Sequence, residues 1–218
     1  MRRASVLLAL LGALLIVACG EDTGTFLPTQ VGAPTGPAQA VTIYLLPRSM
    51  VPGYQRTSDL TLNAGAIADQ KGDPALSGRL VSDGFIHGAR AIYSPPPRVG
   101  KTTFNEISSD ALIFNDAAGA HSYFAEEAAR LNSVPPGGTL DALGGLPHQH
   151  VDELVAYASS APPFAGAEVD RGFIALMRTG RVVTEIFARG GSAASTNARA
   201  FLPLVVAEET LLAQPPNG

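Results

Sequence analysis

The sequence predicts an α+β domain: a single antiparallel sheet with helices packed on one face, preceded by a signal peptide and a flexible tether. Three observations lead there. Several short segments alternate apolar and polar residues at the strand period of two. One long segment between them has helical spacing and a cap. Hydrophobic residues make up 46% of the chain, so a packed interior is expected rather than disorder. Helices set among mostly antiparallel strands give a layered α+β arrangement.

Taken in order, residues 41–46 (Val-Thr-Ile-Tyr-Leu-Leu) are β-rich and stop at Pro47, which predicts a first strand. Residues 50–60 look irregular around Pro52-Gly53, and residues 62–70 suit a short helix. Asp73-Pro74 opens a second helix, with Leu76, Leu80 and Val81 on its apolar side and Gly84 as a left-handed cap. Residues 85–93 alternate as a strand that Pro95-Pro96-Pro97 ends, and residues 107–114 alternate again. Asn115 and Asp116 offer caps for the clearest helix. Its apolar positions, Ala117, Ala120, Phe124, Ala128 and Leu131, are three or four apart. Residues 151–156 suit another strand.

Residues 172–189 predict a hairpin turning at Thr179-Gly180, pairing Met177 with Val182, Ala175 with Thr184 and Phe173 with Ile186. One face is then nearly apolar, and the other mixes Ile174, Leu176 and Val183 with Arg178, Arg181 and Glu185. A last helix runs from a Ser195 or Thr196 cap to about Ala213, with Pro203 either kinking it or marking its true start.

The first twenty residues give an address. Met1-Arg2-Arg3 is a positive n-region, and residues 4–18 are apolar or small apart from Ser5. That length suits a secretory signal and falls short of the roughly 20 residues that span a bilayer. Ile16-Val17-Ala18-Cys19 resembles the lipobox of bacterial lipoproteins. The resemblance implies cleavage after Ala18, a diacylglyceryl thioether on Cys19 and further acylation, as with palmitate. It places the mature chain on the cell membrane or outer membrane, extracytoplasmic and held by lipid. Cys19 is the only cysteine, so no disulfide can form within the chain. Residues 19–40 are rich in Pro, Gly and Thr and read as the tether. The domain is expected over 41–213, and 214–218 as a flexible tail.

The run 108–132, a strand entering a capped helix, is followed by the hairpin and a C-terminal helix. That order resembles PsbP-like lipoproteins of actinobacteria and the extracytoplasmic sensor domains of bacterial receptor kinases. The resemblance covers about half the domain and rests on element order. Those sensor domains often carry disulfides, which this chain cannot form internally.

Formal net charge is −4, Lys71 and Lys101 are the only lysines, and no basic run occurs. Nucleic acid is therefore not an expected partner. The chain has no Gly-x-Ser-x-Gly elbow, Ser-x-x-Lys pair, phosphate-binding loop or His-Glu-x-x-His. No enzymatic activity and no cofactor are expected. His148, His150 and Asp152 alternate, so an extended chain places them on one side with donors suited to zinc. As a solvated loop leading into a strand, the same residues need no metal. Asp110, Glu126, Glu127 and Glu185 read as solvated charge, as do Arg178 and Arg181 beside the turn.

The functional expectation is a non-catalytic binding or sensing module, with a metal-binding protein or metal-dependent enzyme using His148 and His150 as the alternative. Two binding modes compete. An apolar ligand lies between sheet and helices near Tyr93, Phe124 and Phe173. Otherwise an envelope protein docks on the hairpin face bearing Ile174, Leu176, Val183 and Phe187.

Overall fold

The computed structural model describes residues 41–97, 103–133, 139–146, 148–161, 170–190 and 198–214. Its strands are β1 (Gln55–Leu62), β2 (Phe85–Ser94), β3 (Glu106–Phe114), β4 (Thr139–Ala142), β5 (Glu153–Ala161), β6 (Asp170–Thr179) and β7 (Val182–Gly190). Its helices are α1 (Ala64–Lys71), α2 (Leu76–Ser82), α3 (Ala117–Leu131) and α4 (Ala198–Leu212), with a 3-10 turn at Arg48–Met50. The seven strands form one antiparallel sheet in the order β1-β2-β3-β7-β6-β5-β4. Two meanders therefore meet along β3 and β7, where Glu106 pairs with Arg189 and Ile113 with Val182.

The α+β class and the single antiparallel sheet are as the sequence predicts. The helical covering is not confined to one face. α1, α2 and α3 pack on one side, over Leu62, Leu112, Leu176 and Val183. α4 and residues 41–51 pack on the other, over Tyr93, Ile107, Phe173 and Ile186. Every residue of β3 after Glu106 is buried, so neither side of the central strands tolerates water and each needs a layer.

Local chemistry sets the helix ends. Asn63 caps α1 by accepting from the Ala66 N–H at 2.8 Å, and Gly72 closes it in the left-handed region at φ 66°. Asp116 caps α3 through the Gly119 N–H at 2.9 Å. A Cβ on Gly119 would fall 1.7 Å from the Asp83 carbonyl oxygen, so glycine lets the first turn of α3 close on the α2–β2 connection. Asp73 and Pro74 form the turn into α2, which begins at Leu76, and Val81 points to solvent rather than to the core. Pro203 lies inside α4, on its exposed side, and the expected Ser195 or Thr196 cap falls outside the described residues.

Residues 41–46 are not a strand. Tyr44 and Leu45 donate to the carbonyls of Val41 and Thr42, and Val41, Tyr44 and Leu45 are buried at helical spacing. Packing on the sheet overrides their β propensity. Residues 55–62, inside and just beyond the stretch read as irregular, form the edge strand β1, paired to β2 with a bulge between Arg56 and Ser58. The hairpin turns one residue later than expected, pairing Thr179 with Val182, Met177 with Thr184 and Phe173 with Ala188. Gly180 then occupies the first central position at φ 54°, which β-branched Thr179 would resist. The slip preserves which residues share a face.

Candidate functional site

Cross-strand register places functional side chains in rows on the face that carries α1–α3. One row holds Arg90, Asp110, Glu185 and Leu176; the next holds Ile92, Ser108, Phe187 and Ile174. The helices cover the first row and stop short of the second. The uncovered floor forms a cleft of about 500 Å³, walled by Arg90 and Glu185, by Arg130 and Leu131 from the end of α3, and by Glu106, Ser159 and Leu140. Ile174 and Phe187 are half-buried there. A Cβ on Gly172 would sit 3.1 Å from the Phe187 ring, so the ring lies over a glycine on the adjacent strand.

An ion-pair network backs the inner wall. Lys71 Nζ, at the end of α1, donates to Glu127 Oε1 at 2.6 Å and to both Glu185 oxygens at 2.9 and 2.7 Å. Arg130 Nε donates to Glu127 Oε2 at 2.7 Å, and Arg90 Nε to Asp110 Oδ1 at 2.6 Å, with a second Arg90–Asp110 contact beside it. Three cations thus meet three carboxylates, and the formal charges cancel. Burial opposes the charge on Lys71, but Glu185 and Glu127 outweigh it and hold its pKa above the usual lysine value. Burial likewise works against ionised Glu127; Arg130 and Lys71 reverse the balance and hold its carboxyl low. At Glu185 burial wins over Lys71, and the carboxyl is raised. Tyr123, buried beside the network, has its hydroxyl pushed well up by burial.

The expected site residues divide. Tyr93 and Phe173 are core residues on the α4 side, and the Tyr93 hydroxyl donates to the Leu46 carbonyl. Phe124 is core on the opposite side, so the sheet separates it from the other two rings. Leu176 and Val183 lie under the helices, whereas Ile174 and Phe187 line the cleft. His148 Nδ1 is 3.1 Å from the Leu146 carbonyl, and the His150 amide donates to Glu209 at 3.0 Å. Asp152 accepts from Gly180 N–H at 2.8 Å and from Arg178 at 3.1 Å. The contacts of the three residues are separate, and that of His150 is made by its backbone. Among the described residues no group of three or more His, Cys, Asp or Glu is gathered to hold a metal. Cys19 lies outside the described residues.

His148 and Asp152 do border a second depression, about 660 Å³, along β5 near the sheet edge. The cleft beside Glu185 is the stronger candidate because buried charged groups line it.

Asp110, Glu127 and Glu185 are buried, not solvated as the sequence suggested, and Arg178 is mostly covered and paired with Asp152 and Glu153. A signal was present. Glu185 interrupts a largely apolar run in β7, and Lys71 is one of two lysines in the chain.

A further carboxyl is buried on the α4 side. Glu208 is 0% exposed, with the Thr184 hydroxyl beside its carboxyl as a hydrogen-bonding neighbour. Burial pushes its pKa well above 4.5. The folded state then holds a proton that the unfolded state releases, so this group's contribution is full below pH 4.5 and is lost as pH rises through the folded pKa. Glu208→Leu should raise stability near neutral pH by about 1–3 kcal/mol and flatten this slope, as denaturant titrations at several pH values would read.

No helix among the described residues is long and apolar enough to cross a membrane. No family model and no curated protein matches the chain. Its fold is similar to the crystal structure of the extracellular domain of PknH from Mycobacterium tuberculosis, with a TM-score of 0.57 and 14% identity over 84% of this chain and 100% of that one. At that identity the likeness concerns the fold, and it is the fold that the resemblance to receptor-kinase sensor domains implies.

Proposed function

We propose that this chain is a lipid-anchored bacterial envelope protein whose extracytoplasmic domain is a non-catalytic binding or sensing module. Its ligand is an amphiphile held in the cleft between α3 and the uncovered rows of the sheet. The cleft itself carries this reading. It has an apolar floor of Ile92, Ile174 and Phe187 and a charged wall of Arg90, Arg130, Glu106 and Glu185, and its volume of about 500 Å³ falls in the range that takes small molecules. A charge-balanced wall suits a headgroup with both donors and acceptors better than a simple anion. The similarity to an extracellular domain supports the location, and the lipobox resemblance at Cys19 supports the anchor.

Native mass spectrometry of protein extracted gently from bacterial membranes tests this. A lipid-sized molecule should remain bound to the natural chain and be lost from Ile174→Trp, which fills the floor and leaves the core untouched. A natural chain that carries nothing, and whose melting temperature is unmoved by lipids from the same membranes, would remove the proposal's support.

A further inference from the structure

α4 carries its two carboxyl groups on its inner side, and its outer side is mostly apolar or uncharged. Glu208 and Glu209 point inward and are buried, while Pro203, Val206 and Thr210 are exposed. Val206 is 43% exposed. Leu202, Pro203, Val206 and Ala207 form an open apolar groove together with Met50 from the 3-10 turn. Arg199 lines the same groove, and Arg48 and the exposed Ile43 belong to the segment that supplies Met50. Among the described residues, none between Val41 and Ser58 is acidic, neither glutamate of α4 faces outward, and Asp59 at the rim of this side is ion-paired with Arg56. The α1–α3 side differs, exposing Asp69 and Asp116.

The described chain begins at Val41, in the segment that forms part of this surface. Twenty-one residues separate Cys19 from Val41. An anchor at Cys19 would therefore join the domain through the segment that supplies this surface.

We infer that the outer face of α4 and the adjoining 41–50 segment dock on an anionic lipid surface, with Val206, Leu202 and Ile43 entering the headgroup layer and Arg48 and Arg199 pairing with phosphates. This rests on the lipid-anchor reading of Cys19. It leaves the ligand cleft, which lies on the opposite face of the sheet, turned away from the membrane.

The chain contains no tryptophan, so one introduced indole reports its own surroundings. Val206→Trp is placed on the proposed face, and Val81→Trp serves as the control on α2, where the side chain is 67% exposed. Full-length protein purified as cells make it is reconstituted into vesicles of phosphatidylcholine with phosphatidylglycerol, and into phosphatidylcholine alone. With anionic lipid, Val206→Trp should shift to the blue and be quenched by brominated lipid several-fold more than Val81→Trp. Arg48→Glu with Arg199→Glu should abolish the difference. Equal quenching at both positions overturns the docking. Protection of Val206→Trp that instead follows dimer formation assigns the face to a second copy and also overturns it. Intact mass separates the two readings. Acylated protein with a wet Val206→Trp sinks the docking alone, and unacylated protein that stays off vesicles sinks both. Unacylated protein still quenched at Val206→Trp upholds docking without the anchor.

Discussion

Lys71→Met should cost on the order of 3–5 kcal/mol, because it removes the cation that two buried carboxylates share and strands one of them. Lys71 is the shared partner of Glu127 and Glu185, and its side chain is only 7% exposed. Methionine keeps the volume and removes the charge. Glu127 retains Arg130, whereas Glu185 is left beside Asp110 with no cation of its own. The deficit should shrink in mild acid. Burial already raises the Glu185 pKa, losing Lys71 raises it further, and protonation then relieves the unpaired charge.

In the natural protein three slopes combine. The Lys71 contribution is full below 10.5 and disappears as pH climbs through its raised folded value. That of Glu127 is present above 4.5 and disappears as pH falls through its lowered value. Glu185, raised, opposes it and loses stability from 4.5 upward. Urea titrations near neutral pH and in mild acid measure the balance. A loss below about 1 kcal/mol at neutral pH would mean that water reaches the network and screens it. Replacing Lys71, Glu127 and Glu185 together by apolar residues should recover most of the loss.

Phe173→Ala should cost about 3–5 kcal/mol. The ring is 3% exposed, stacks on Phe201 of α4 with centroids 5.5 Å apart, and meets Phe104 edge-on at 6.2 Å. It therefore fastens α4 to the middle of the sheet. Amide exchange across residues 198–212 should accelerate more than exchange in α3, which packs on the other side. Phe187→Ala removes a ring of equal size that the cleft leaves half-wet, and it should cost clearly less. Equal losses for the two variants would show that Phe173 is not the buried anchor described.

The parts of the fold legible in sequence are those where one signal suffices. α3 has a cap and a regular apolar stripe, and the β6–β7 hairpin has two alternating runs around a glycine. β1 has neither. As an edge strand exposed on most of its length, it is polar apart from Leu60 and Leu62, and its pairing with β2 makes it a strand. β3 misleads in the opposite way: Ser108 and Asp110 look like a wet face, yet Arg90 neutralises Asp110 beneath the helical layer. Ile174 and Phe187 were visible as apolar residues on a mixed face. The charged wall was not, because Lys71, Arg90, Glu127 and Glu185 come from four elements whose proximity no local pattern encodes.

The junction of the two meanders has a consequence for a chain made from its N-terminus. β1, β2 and β3 are synthesised and can pair long before β7 exists, and closing the intervening loop carries an entropic cost. Throughout that interval β3 presents an unpaired, largely apolar edge from Ile107 to Phe114, a template for any other extended chain. That edge is satisfied only when Val182–Gly190 arrives, long after β3 has been made. Chains that stop before β7 carry the hazard permanently, so β7 acts as the guard against self-association of the strands made before it.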